Sequence, residues 1–310
     1  MIRLVDINMA FGSVQAVKDL NLEIGEGTIF GFVGPNGAGK STTMLILATL
    51  LRPTSGQAFI DGFDVVRQPR EARRRIGYMP DFFGVYDNLK AAEYLDFYAA
   101  CQGIPPVERP GITTRLLTLV DLADKADVYV DSLSRGMKQR LGLARCLVHD
   151  PPALILDEPA SGLDPRARVE LREILKRLRE MGKTVLISSH ILPELAEMCD
   201  DIGILDKGRL VARGSVAAIR SRVQGRRSIR IRLKGQVEPS PVGEQLRSHP
   251  AVVGVTADKD EWIVAIDGGD DVQAEVLRGL IEKGLPVLSF AEAGSNLEAI
   301  FMEITGEAEG

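Results

Sequence analysis

Cysteine is scarce in this chain of 310 residues. The three present, Cys101, Cys146 and Cys199, are odd in number, far apart and never in a CxxC pair. That pattern argues against a disulfide framework and a cysteine metal site, and it suits a reducing compartment. Positive charge is also short: 38 Lys and Arg stand against 43 Asp and Glu, for a net charge of −5. With no global basic field, no nucleic-acid partner is expected. Long hydrophobic runs are missing too. The richest, MLILATLL (Met44–Leu51), is far too short to cross a bilayer. The N-terminal MIRLVDINMAF alternates like a strand, carries Asp6 early and lacks the apolar stretch of a signal peptide. If this protein works at a membrane, something else must hold it there. Internal repeats, low-complexity tracts and sustained heptads are absent as well. What remains is 45% hydrophobic and 26% charged, a globular composition with material for a full core and one or two domains.

Residues 1 to about 222 read as one α/β unit. TIFGFV (Thr28–Val33), ALIL (Ala153–Leu156) and TVLIS (Thr184–Ser188) are short apolar runs, each followed by a loop and a helix pattern, as buried parallel strands are. From Asp164 to Met181 the pattern is helical, with Leu171, Ile174, Leu175 and Leu178 at i, i+3, i+4 and i+7. Asp164 suits its cap and Pro165 its first position. Asn88 to His149 reads as a helical insertion, with a helical subdomain over about 88–148. Breaks are expected at GIPP (Gly103–Pro106) and RPG (Arg109–Gly111). Ile202–Gly214 reads as a hairpin turning at Lys207-Gly208. A second unit follows over residues 226–310. Its order is strand (Ser228–Lys234), helix (Val242–Ser248), strands (Val252–Thr256, Glu261–Ile266), helix (Val272–Lys283), strand (Leu285–Phe290) and helix (Asn296–Ile304). That β-α-β-β-α-β order predicts a small ferredoxin-like α+β domain.

GPNGAGKS (Gly34–Ser41) fits GxxxxGK[ST] and lies between a strand and the helix pattern TTMLILATLL, the context a phosphate-binding P-loop requires. Its glycines let several backbone N–H groups point at one anion. Lys40 is expected to reach the β- and γ-phosphates, and Ser41 to ligate Mg²⁺. ALILDEP (Ala153–Pro159) sets two carboxylates at a strand end, where alternation turns them to different tasks. Asp157 is expected to hold Mg²⁺, and Glu158 to act as general base on the attacking water. His190 follows TVLISS, past the carboxyl end of a predicted parallel strand, and could donate to the γ-phosphate. His149 and His249 have no such support. For His149, near a helix end, a dipole contact is the simpler expectation.

A second anion-binding helix start, LSRGMKQR (Leu133–Arg140), lies about a hundred residues downstream. Taken in order, these pieces resemble the ATP-binding cassette (ABC) ATPases over about residues 1–220. The resemblance implies a P-loop NTPase fold with a mixed sheet core. It identifies Phe11 as the aromatic that stacks on adenine. Gly34, Pro35, Asn36, Gly37, Ala38, Gly39, Lys40, Ser41 and Thr42 form the phosphate loop. LSRGMKQR is similar to the family signature, SGLD (Ser161–Asp164) to the loop that communicates across the dimer, and His190 to the switch histidine. The family pairs two such domains head to tail, each ATP held between one P-loop and the other protomer's signature. The second cradle is thus for the partner's nucleotide, contacted by Ser134 and the N–H of Gly136. The implied cofactors are ATP and Mg²⁺. The implied partners are a second nucleotide-binding domain and a separate transmembrane permease, which would hold the chain on the inner face of the cell membrane.

Three departures qualify the resemblance. Arg135 and Met137 replace the second glycine and the glutamine of the usual LSGGQ. Arg135 either adds charge toward phosphate or is a solvated rim residue. The basic-Gly-Met form, with the ending NLEAIFMEITG (Asn296–Gly306), resembles the subfamily paired with ABC-2-type export permeases. In IGYMPDFFGVYDNL (Ile76–Leu89), Asp81 stands where the family has glutamine. An ionised aspartate only accepts hydrogen bonds. Asp81 either accepts from a metal-bound water or serves as a loop acid in the link to the permease. Finally, Arg220–Lys234 is rich in arginine and alternates Ile229, Ile231 and Leu233 with Arg230, Arg232 and Lys234, a half-buried strand with a solvated face for which lipid headgroups or nucleic acid are the secondary reading. The alternative function is a cassette ATPase acting on ribosomes or DNA.

Overall fold

In the computed structural model, residues 1–81, 88–223, 226–234, 243, 246–258 and 261–292 are described. The chain divides into two compact units, Met1–Val216 and Ala217–Gly310. Among the described residues no helix is long and apolar enough to cross a membrane.

The first unit contains two sheets. A four-stranded antiparallel sheet has the order β2-β1-β4-β5, formed by β1 (Ile2–Phe11), β2 (Val14–Ile24), β4 (Ser55–Ile60) and β5 (Phe63–Asp64). The second has six strands in the order β10-β9-β3-β8-β7-β6, from β3 (Ile29–Val33), β6 (Ile76–Met79), β7 (Ala153–Leu156), β8 (Thr184–Ser189), β9 (Asp201–Asp206) and β10 (Arg209–Ser215). The five strands from β9 to β6 run parallel, and β10 joins antiparallel at the edge through the turn at Lys207-Gly208. Every residue of β3, β7 and β8 is buried, which explains their unbroken apolar text. By contrast, β10 alternates between exposed and half-buried positions, as an edge strand does.

Helix α1 (Lys40–Leu47) follows β3, and α2 (Pro69–Arg74) precedes β6. The insertion comprises α3 (Ala91–Cys101), α4 (Arg109–Leu119) and α5 (Arg135–Cys146), with two short 3₁₀ turns before α5. Arg109-Pro110-Gly111 is not a break but the first turn of α4. Proline fits there because the first helical N–H groups have no partner within the helix. Helix α6 (Pro165–Glu180) buries Leu171, Ile174, Leu175 and Leu178, and Asp164 caps it by accepting from the Ala167 N–H at 2.9 Å. Such a cap contributes about 1 kcal/mol. Helix α7 (Leu192–Met198) joins β8 to β9.

Helix α8 (Val216–Val223) starts on the last residue of the first unit and continues into the second. The sheet of the second unit has the order β12-β13-β11-β14, from β11 (Arg226–Leu233), β12 (Val252–Asp258), β13 (Glu261–Asp267) and β14 (Val287–Glu292). All ladders are antiparallel. The first strand of the unit thus lies between its third and fourth, the arrangement of a split β-α-β fold. Helix α9 (Asp270–Glu282) buries Val276 and Leu280, which share a core with Ile229, Ile231, Leu233, Val264 and Ile266. Of the predicted helix Val242–Ser248, Gly243, Leu246 and Arg247 are helical, while 242, 244 and 245 lie outside the described residues. So do the predicted helix Asn296–Ile304 and residues 82–87 of the loop after β6.

Candidate functional site

Strands β3, β8 and β7 are neighbours and end level: Val33 pairs with Ser189, and Leu156 with Ile187. The loops leaving these ends meet at the carboxyl edge of the sheet, where open α/β sheets place ligands. From β3 comes the loop Gly34–Gly39. Gly39 has φ +100°, and a Cβ there would lie 2.6 Å from the Ala16 carbonyl oxygen, so no other residue lets the loop close onto β2. The β9–β10 turn packs beside it. The Gly208 N–H donates to Ala38 O at 3.2 Å, and the Lys18 N–H donates to Gly208 O at 2.7 Å.

Lys40 opens α1 and is buried. Its Nζ donates to the carbonyls of Gly34 (2.6 Å) and Pro35 (3.2 Å) and lies 3.8 Å from Glu158 Oε1. Burial pulls the Lys40 pKa below the usual lysine value, and the charges of Glu158 and Asp157 pull the other way. The first turn of α1 holds no acidic side chain, so its positive dipole end faces the cleft uncompensated. Ser41 and Asn36 are exposed there, and Thr42 is half-buried.

At the end of β7 the two carboxylates part. Asp157 is buried, and its Oδ1 accepts from the Ser188 hydroxyl at 2.5 Å. The same hydroxyl accepts from the Glu158 N–H at 2.8 Å. Glu158 itself has φ +49°, a conformation that is costly outside glycine. This left-handed turn, rather than strand alternation, sends the neighbouring carboxylates apart. Asp157 meets β8, while Glu158 Oε2 lies 2.9 Å from His190 Nδ1. Asp81 is exposed on the loop after β6. Burial, then the negative charges of Asp157 and Asp81, push the Tyr78 hydroxyl up to about 12.

A cleft of about 610 Å³ gathers Phe11, Asn36 to Thr42, Asp81, Glu158 and His190. Phe11, at the end of β1, is half exposed. The wall also carries Val14, Gln15, Ala16, Lys18 and Lys207, which the sequence does not mark as site residues, and Ser161 of the SGLD loop. Lys207 sits in the predicted hairpin turn, but nothing in its sequence neighbourhood says that this turn packs on the P-loop. Ser188 was also missed, although a serine pair closing an apolar strand was a usable signal.

Ser134 and Gly136 do not line this cleft. Ser134 is exposed at the N-cap of α5, its oxygen accepting from the Met137 N–H at 3.3 Å while its own proton stays available to donate. A Cβ on Gly136 would lie 2.9 Å from that of Ala167, so glycine is what lets α5 approach α6. Arg135 is exposed, and its guanidinium covers Gly162 of the SGLD loop. His149 makes no helix-end contact of the kind expected. Its Nε2 meets the Ile76 carbonyl of β6 at 3.0 Å, and burial pulls its pKa below the usual histidine value. His249 accepts from the Ala251 N–H in a local turn of the second unit.

Among the described residues no three His, Cys, Asp or Glu side chains gather into a metal cage. The oxygen donors are the Ser41 hydroxyl and the Asp81 carboxylate, which line the cleft, and the Asp157 carboxylate, which does not line it but is buried against Ser188, near enough to Lys40 to act on its charge. Such a set fits a hard cation that takes its other ligands from phosphate and water.

Comparison with known proteins finds relatives along the whole chain. The ABC transporter family model matches residues 17–161, and a model for the C-terminal domain of DrrA1-3-like ATP-binding proteins matches residues 214–305. The linearmycin resistance ATP-binding protein LnrL of Bacillus subtilis (strain 168) is 32% identical, covering 99% of this chain and 98% of its own. The daunorubicin/doxorubicin resistance ATP-binding protein DrrA of Streptomyces peucetius is 35% identical, covering 96% and 89%. A solved dimeric structure of the ATP-binding cassette MJ0796, in a post-hydrolysis state with ADP and Pi, superimposes with a TM-score of 0.63 at 27% identity, covering 70% of this chain and 99% of that one.

Proposed function

Because the chain belongs to the ATP-binding subunits of ABC transporters, an ATPase family, we propose that it dimerises around two MgATP to drive a separate ABC-2-type permease in export. The observation that carries this reading is Glu158, whose two oxygens meet Lys40 and His190 in one cleft with the P-loop. Phe11 stacks on the adenine. Backbone N–H groups of the Gly34–Thr42 loop, where Pro35 alone has none to give, and the Lys40 ammonium hold the phosphates. Ser41 and Asp157 would hold magnesium, with Asp81 acting through a water, and the ion would supply charge neutralisation to the phosphates. Glu158 accepts the proton of the attacking water, and His190 orients Glu158 and donates toward the γ-phosphate.

Ser134 and Gly136 serve the partner's nucleotide. Their distance from this chain's own cleft supports that assignment, as does the dimeric state of the MJ0796 cassette. Export is supported by the names of LnrL and DrrA, both resistance proteins. Through its permease the chain sits on the inner face of the cell membrane. Residues 1–222 act as the nucleotide-binding domain and 226–310 as an accessory domain. Nothing observed favours action on ribosomes or DNA.

The test is the concentration dependence of ATP hydrolysis by the purified chain. A shared site predicts a specific activity that falls on dilution, is abolished by Lys40→Ala, and rises on reconstitution with the membrane partner. A specific activity constant at every dilution, with monomers throughout, would overturn the shared site.

A further inference from the structure

Past β8 the chain turns through Ser189, His190 and Ile191 into α7. Side chains outside the cleft brace this turn. Ser189 is buried, and its Oγ accepts from the Ile191 N–H at 3.0 Å and donates to Glu194 Oε2 at 3.2 Å. Glu194 is itself only 9% exposed, and its other oxygen, Oε1, forms an ion pair with Arg168 Nη1 at 3.0 Å. Arg168 lies in the first turn of α6, beside Ala167, the residue against which Gly136 of α5 packs. The brace on His190 is therefore anchored to the turn that seats the helix carrying Ser134.

The pair is open to solvent on one side, with the Arg168 side chain 38% exposed and that of Glu194 8%, so it adds little stability. What it supplies is direction: two fixed charges, one serine and one backbone N–H define where the chain leaves β8. From this we infer that Glu194, held by Arg168, is a positioning residue for ATP hydrolysis, acting through Ser189 to keep the His190 imidazole against Glu158. The inference rests on the role of His190 stated above. Glu194 touches no nucleotide; its effect is on the orientation of a group that does.

The test is a double-mutant cycle on the full chain, reading kcat and KM for ATP. His190→Ala should lower kcat at least about 100-fold, the low end for a positioned acid–base group. Glu194→Ala should lower kcat about tenfold while KM moves less than about twofold, since only the reacting geometry is disturbed. The double variant should be no slower than His190→Ala alone, because the two residues act as one unit. Glu194→Gln keeps the acceptor for Ser189 and should retain more activity than Glu194→Ala. Arg168→Gln, on a more exposed side chain, should show the same split if Glu194→Ala folds poorly. A full tenfold loss from Glu194→Ala on top of His190→Ala overturns the inference, as does an unchanged kcat for Glu194→Ala in a folded protein. Unchanged turnover by His190→Ala would instead defeat the role of His190 and the positioning claim with it.

Discussion

His190 Nδ1 stands 2.9 Å from Glu158 Oε2, so two residues from different strands, thirty-two positions apart, already share a hydrogen bond at the mouth of the cleft. The contact spans from β8 to β7, the same pair of strands that Ser188 ties together one layer below.

Glu158→Gln keeps the shape of that contact and removes the base. ATP should still bind, hydrolysis should fall by at least about 100-fold, and the dimer should persist with MgATP. Gel filtration checks this; elution as a monomer with MgATP present contradicts it.

Ser134→Arg leaves the P-loop cleft untouched, because Ser134 lies outside it. Each protomer should bind ATP with the affinity of the parent chain, and steady-state turnover should be lost. Fluorescent-nucleotide titration beside a phosphate-release assay separates the two. Full turnover from this variant would defeat the shared site.

Ser188→Ala deletes the hydroxyl that serves both Asp157 and the Glu158 N–H. A buried carboxylate and a half-buried N–H lose a partner at once, for a cost of about 1–3 kcal/mol. The thermal midpoint should drop, and kcat with it. An unchanged melting curve would show that the hydroxyl is not what holds the end of β7.

His149 makes stability sensitive to acid. Its pKa is lowered by burial, so below pH 6.5 the unfolded chain takes up a proton that the folded chain resists. Stability from this group is complete above pH 6.5 and is lost as pH falls toward the depressed folded value, with a slope of up to about 1.4 kcal/mol per pH unit. His149→Gln should flatten that part of the profile. Urea unfolding between pH 5 and pH 7, about the range where histidine titrates, reads it directly.

Much of this was legible in advance where the chemistry is local. A P-loop is a run of adjacent residues, and β3, β7 and β8 announce themselves because both faces are buried. The Asp164 cap and Pro165 were readable for the same reason. What escaped was contact between distant segments. Lys207 reaches the cleft because β9 pairs with β3, a neighbour relation that no periodicity carries. The Glu158 turn was misjudged as simple alternation because its conformation depends on Ser188, thirty residues on. Nearness in sequence suggests a helix end for His149, but its partner is a carbonyl on β6. Proline suits a helix start as well as a break, and Pro110 lies in the first turn of α4.

In the second unit β11 lies inside the sheet, hydrogen-bonded to β13 on one side and β14 on the other. The strand made first by the ribosome must therefore wait for the two made last before its ladders can close. Shortening this unit from its far end strips one flank of that strand, so the module is one to be kept or discarded entire. Engineered fusions to it belong ahead of α8 rather than within it.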